Sequence, residues 1–186
     1  MVVFNAPNDA LPVFRSLFQK GVGITIQTGT SLENLLCCQW NIDRAYVMGR
    51  ISTLFLDGHP VDDLPGAVVH DGATLALSGA MPGLIGATMR RGGVLASFRD
   101  GITYCETSEG GHGGRGRITL KLFNLLIEEL GPLFLARGIW VSRSRLAELF
   151  PGHPGIANAT DSEIEVYMAD RPSAASKGAR KKNFIL

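Results

Sequence analysis

The chain has 186 residues, 45% of them hydrophobic and 19% charged, which supports a folded core and excludes global disorder. Formal net charge is +1, but five of the 18 basic residues (Arg171, Lys177, Arg180, Lys181, Lys182) fall after Asp170, in a stretch that contains no acidic residue. The remaining 13 face all 17 acidic residues, so the body is near −4 and only the tail has a nucleic-acid-like charge.

The 23 glycines break the chain into short elements and argue against a helical bundle. The composition points to an α+β fold: a mixed sheet with hairpins, packed by helices on one face. One domain over residues 1–170 is expected, with 171–186 a flexible basic tail. The three cysteines, Cys37, Cys38 and Cys105, have no metal-ligand spacing and fit a reducing, cytoplasmic setting. Neither a basic leader nor a long apolar run opens the sequence. Residues 72–89 lack charge, yet their glycines and Pro82 read as a strand followed by a helix rather than a membrane span.

In chain order, Asp9–Lys20 reads as a helix, with Leu11, Phe14, Leu17 and Phe18 on one face. Gly23–Gln27 reads as a strand. Thr30-Ser31-Leu32-Glu33 has the form of a capping box and opens a second helix. Ile51–Leu56 is a strand, Asp57-Gly58 a turn, Asp71-Gly72 another turn, and Thr74–Leu77 an apolar strand. Gly83–Arg90 forms a short helix after Pro82.

Residues 94–107 are expected to form a hairpin, because two alternating runs flank Asp100-Gly101. A glycine-rich loop follows over Ser108–Arg117. Residues 119–150 read as a helical segment. Its first part, 119–137, carries leucines or phenylalanine every fourth residue from Leu122 to Phe134, with a kink at Gly131-Pro132. Glu163–Met168 alternates as a one-sided strand.

Four groups resemble a ubiquitin-like β-grasp unit of the sulfur-carrier kind, over residues 23–83. They are Gly23–Gln27 before the helix, Thr30–Leu36 in the helix, Phe55–Val61 with its Asp57-Gly58 turn, and Asp71–Leu77 as the last strand. The stretch before Gly23 offers no counterpart of the family's first strand. Gly92-Gly93 is internal, so the resemblance implies a β-grasp-like fold and no carrier chemistry.

Candidate chemistry centres on the loop Gly110–Arg117. Gly111, Gly113 and Gly114 would let backbone amides approach an anion, and Arg115 and Arg117 would grip phosphate or carboxylate. The Lys and Ser/Thr of a nucleotide P-loop are absent. Arg90 and Arg91, after the 83–90 helix, form a second cationic candidate. His112 is the candidate acid–base group. His59, Asp62, Asp63, His70 and Asp71 are a His/Asp cluster without metal-ligand spacing, so no metal is assigned. No cofactor is indicated.

These observations lead to a binding or interaction module that engages an anionic small molecule or a protein partner through glycine-rich loops. Two alternatives stand beside it. One is a small enzyme acting on a phosphorylated or carboxylated substrate, with Arg90, Arg91, His112, Arg115 and Arg117 in one pocket. The other is a structural homo-oligomer.

Overall fold

The computed structural model describes residues 2–6, 11–81, 83–104, 113–168 and 182–185. Its strands are β1 (Val2–Ala6), β2 (Val22–Gln27), β3 (Thr30–Ser31), β4 (Thr53–Leu56), β5 (His59–Pro60), β6 (Val68–Val69), β7 (Thr74–Ser78), β8 (Arg115–Phe123), β9 (Ile139–Ser142), β10 (Glu163–Met168) and β11 (Lys182–Ile185). Its α-helices are α1 (Leu11–Lys20), α2 (Arg44–Arg50), α3 (Gly83–Met89), α4 (Leu126–Arg137), α5 (Arg143–Leu149) and α6 (Pro154–Ala157). A π-helical turn covers Asn34–Gln39 and a 3-10 helix Ala96–Ile102.

The fold is α+β. Nine strands form one mixed sheet in the order β11-β1-β10-β9-β2-β8-β7-β4-β5, and β3 and β6 form a separate ribbon. Alternation explains why one face is covered. Leu54, Leu56, Leu75, Leu77, Ile118 and Leu120 point to one side and are buried, whereas Phe55, Thr74, Ala76, Arg117 and Thr119 point to the other and stay partly exposed. α1 and α4 pack on β8, α4 also on β10, and α5 on β9. Phe14, Leu17, Phe18, Leu130 and Phe134 fill the space between helices and sheet.

The Asp57-Gly58 turn joins β4 to β5 with both residues at positive φ (51° and 83°), the backbone form that suits a two-residue hairpin. α2 starts on Asp43, whose carboxylate accepts the Tyr46 amide (3.1 Å).

Several expectations are corrected. Residues 94–104 form no hairpin: Asp100-Gly101 lies inside the 3-10 helix, and the backbone touches the sheet edge through the Tyr104 amide on the Pro60 carbonyl (2.9 Å). Alternating apolar residues there belong to an exposed surface. Residues 105–107 lie outside the described residues. The 119–150 segment opens on a strand, since Ile118, Leu120 and Leu122 alternate into the core. The four-residue spacing of Leu122 and Leu126 spans a sharp reversal at Asn124 (φ 56°), after which α4 runs through Pro132 to Arg137 without a break.

The capping box at Thr30 does not form. Thr30 and Ser31 pair with Val69 and Val68, and the Ser31 hydroxyl, rather than Thr30, accepts the Asn34 amide (3.2 Å). Within the basic tail, Lys182–Ile185 runs parallel to β1 as the outer strand, which departs from the flexible-tail expectation.

Candidate functional site

The sheet is two half-sheets joined by very little. β11-β1-β10-β9 meets β2-β8-β7-β4-β5 at one residue pair, Gly23 opposite Trp140. Side chains on the open face reinforce that joint. The Arg117 guanidinium lies 4.1 Å from the Trp140 ring centre and pairs with Glu163. The Trp140 indole N–H donates to the Thr25 hydroxyl (3.1 Å). This stack crosses β2 above Gly23. A Cβ there would sit 2.9 Å from the Trp140 Cβ and 3.0 Å from the Arg117 Cδ, so glycine is what admits it.

Two hollows flank the joint. Where β2 and β9 diverge past the Gly23–Trp140 pair, a polar cleft of about 310 Å³ opens among Thr25, Arg115, Arg137, Glu165 and Tyr167. In it the Tyr167 hydroxyl donates to Glu165 (2.7 Å), while Arg137 donates to the Gln39 and Trp40 carbonyls (3.0 and 2.8 Å). At the opposite end, a cavity of about 640 Å³ is lined by Lys20, Gly21, Arg117, Thr119, Ser142 and Arg145, with Ser144 and Glu163 also on its wall. Arg145 donates to the Gly21 carbonyl (3.1 Å), and the Ser142 and Ser144 hydroxyls lie 3.3 Å apart. Lys20 has no carboxylate partner among the described residues.

Gly111 and His112 lie outside the described residues. Gly114 closes against Thr28, its carbonyl accepting the Thr28 amide (2.8 Å), and Gly113 stands beside the Thr28 carbonyl. Arg115 and Arg117 lie two residues apart on β8, roughly 6–7 Å along one face of the strand. They border different hollows, Arg115 the cleft and Arg117 the larger cavity.

Arg90 and Arg91 are not brought to them. The Arg91 amide donates to the Ser52 carbonyl and its guanidinium to the Val47 carbonyl (both 2.8 Å), where it satisfies the end of α2. Ser52 lies beside the Ser78–Phe123 end of the strands, about 20 Å along β8 from Arg117. Burial pushes the Arg91 pKa down, opposed by Asp62, and its Nη1 is buried without a hydrogen-bond partner. Arg91 is thus a clamp on α2, and the single pocket expected to unite it with Arg115 and Arg117 is not formed.

The His/Asp cluster also separates. His70 places its two ring nitrogens on Asp57 and on the Asp71 carbonyl (both 2.8 Å), whereas His59 contacts the Ile102 carbonyl (3.1 Å). Among the described residues, no three His, Cys, Asp or Glu side chains converge as a metal-binding group. No helix among them is long and apolar enough to cross a membrane. Cys37 is partly buried, which raises its thiol pKa, with Glu33 adding to the effect; Cys38 is exposed.

Lys20, Trp140, Ser142 and Arg145 were not legible as site residues. They come from three separate elements, and only the β2–β9 contact gathers them. No protein-family model matches the chain, and no curated protein or solved structure is significantly similar to it.

Proposed function

We propose that this chain is a binding module that holds a small anionic molecule on the open face of its sheet, in the cavity beside the half-sheet joint. One observation carries the reading. Lys20, Arg117 and Arg145 line the same hollow, and among the described residues Glu163 is the one acidic side chain on its wall. The balance there is about +2, in a hollow of a size usual for small ligands. The hydroxyls of Thr119, Ser142 and Ser144 add neutral donors. Guanidinium and ammonium groups beside hydroxyls suit phosphate or carboxylate oxygens. Because Glu163 already pairs with Arg117, the ligand's charge falls to Lys20 and Arg145.

The β-grasp reading of residues 23–83 belongs to the same proposal. Its support is the order β2-β8-β7-β4-β5, in which β8 enters between β2 and β7 and supplies the strand missing before Gly23.

A thermal-shift screen against phosphate- and carboxylate-bearing metabolites tests the binding site. A ligand at a hundred times its dissociation constant stabilises the chain by about 2.7 kcal/mol. The shift is expected to shrink strongly in Lys20→Ala and Arg145→Ala and to persist in Arg115→Ala, which alters only the neighbouring cleft. A shift unchanged in the Lys20→Ala/Arg145→Ala double variant would remove the proposal.

A further inference from the structure

Apolar side chains left in water are concentrated in one region. Leu84 and Ile85 on α3, Val94, and Phe98 and Ile102 on the 3-10 helix are between 49% and 97% exposed. α3 and the 3-10 helix pack mainly on each other, as a flap beyond the β4–β5 end of the sheet. Five large side chains at such exposure present roughly 500–600 Å² of apolar surface, at the top of the range for a monomer's largest patch. That is most of the ~800 Å² that each partner contributes to a stable interface.

The flap adjoins an apolar hollow. On the open face, Phe55, Ala76, Met81 and Phe123, with Lys121 on the wall, line a cavity of about 400 Å³, and Met81 packs against Gly86 of α3. The other end of the flap returns beside β5, where the Ile102 carbonyl meets His59. An apolar receptor therefore adjoins the element that carries projecting apolar side chains.

We propose that this surface is covered by a second copy of the chain, as a closed two-fold dimer in which each flap fills the other's hollow. A two-fold interface needs a patch that contains both halves of its own complement, and knob beside socket is that arrangement. The rim favours protein over an anionic bilayer, because it carries an acid close to its base: the Asp62 carboxylate accepts the Gly92 amide (3.3 Å), two residues along the chain from the exposed Arg90.

Sedimentation velocity over a concentration series, on the full chain, tests the dimer. Phe98→Asp changes the knob and Ala76→Arg the socket, both at solvent-facing positions, and unaltered circular dichroism confirms the fold. Each single change is expected to weaken association about thirtyfold or more. The double variant Phe98→Asp/Ala76→Arg sets the introduced carboxylate of one copy against the introduced guanidinium of the other across both contacts, and it is expected to recover most of the dimer. A wild-type chain that remains monomeric up to submillimolar concentration overturns the proposal. So does open-ended polymerisation, or a monomer that binds neutral or anionic phospholipid vesicles through the flap. Failure of the double variant to recover while both singles dissociate would overturn the knob-in-socket pairing.

Discussion

Single residues set the geometry of the open face. Gly23 gives the Arg117–Trp140 stack its passage across β2, since any side chain would overlap both partners. Gly23→Ala is expected to cost about 1–3 kcal/mol through overpacking, or a melting temperature lower by roughly 2–12 °C by calorimetry. An unchanged melting temperature would mean that the joint yields freely. His70 gives a pH-dependent test. The Asp71 carbonyl is the main influence raising its pKa, burial opposes it, and Asp57 adds to the rise. A raised value means that the folded chain holds the proton more tightly than the unfolded chain. His70 therefore stabilises fully below its unfolded value, and that contribution is lost as pH rises through the folded value. His70→Gln is expected to lower the melting temperature in mildly acidic buffer and to leave it nearly unchanged in alkaline buffer. Equal losses at both pH values would rule out the charged contribution.

Elements are tied to one another by a few side-chain networks. Glu129 on α4 accepts from Arg50 at the end of α2 and from the Tyr46 hydroxyl. Arg50 is the largest cause holding the Glu129 carboxyl down at about 2, and burial, followed by the hydrogen bond to Glu129, makes the Tyr46 hydroxyl hold its proton more tightly. Glu129 stabilises the fold above its unfolded value, near 4.5, and the contribution is lost as pH falls through about 2. Because these side chains are partly exposed, Glu129→Gln is expected to cost at most about 1 kcal/mol near neutrality and nothing at pH values near 2. Urea titrations at the two pH values distinguish this from a packing effect, which would not depend on pH. How legible such elements are in sequence follows from where their constraints lie. α1, β2, β7 and β10 announce themselves because each alternates or repeats over its own length, and the β4–β5 turn through its Asp57-Gly58 pair. β8 does not, because its leucines continue in phase with those of α4 and only the reversal at Asn124 separates the two periods. β1 and β11 are fixed by partners far along the chain, Val3 beside Glu165 and Asn183, which no local window contains. The 94–104 alternation shows the converse: a strand-like pattern found no pairing partner and settled as a helix with an apolar outer surface. The site was legible in part, through Arg117, whereas Arg115 borders the neighbouring cleft and Lys20 and Arg145 were not legible.

At the scale of the whole molecule, two half-sheets share one helical layer while touching through a single strand pair on the sheet itself. The continuous core beneath, from Phe14 and Phe18 to Phe134 and Leu146, holds them together, and the open face is left to hollows and exposed apolar groups. The position of β8 also has a consequence for the order of events during synthesis. β2 and β7 are both finished before residue 79, yet neither is adjacent to the other in the sheet; each has its main partner in residues 115–123. As the chain leaves the ribosome, Ile24, Ile26, Leu75 and Leu77 must wait for some forty further residues before their ladders can close. During that interval both edges of β2 and one edge of β7 stand unpaired, and long-range pairing of this kind is slow and vulnerable to mispairing. The nascent protein would therefore be most in need of a chaperone while the segment from Gly79 to Gly114 is being made, and would lose that need once β8 slides between its neighbours.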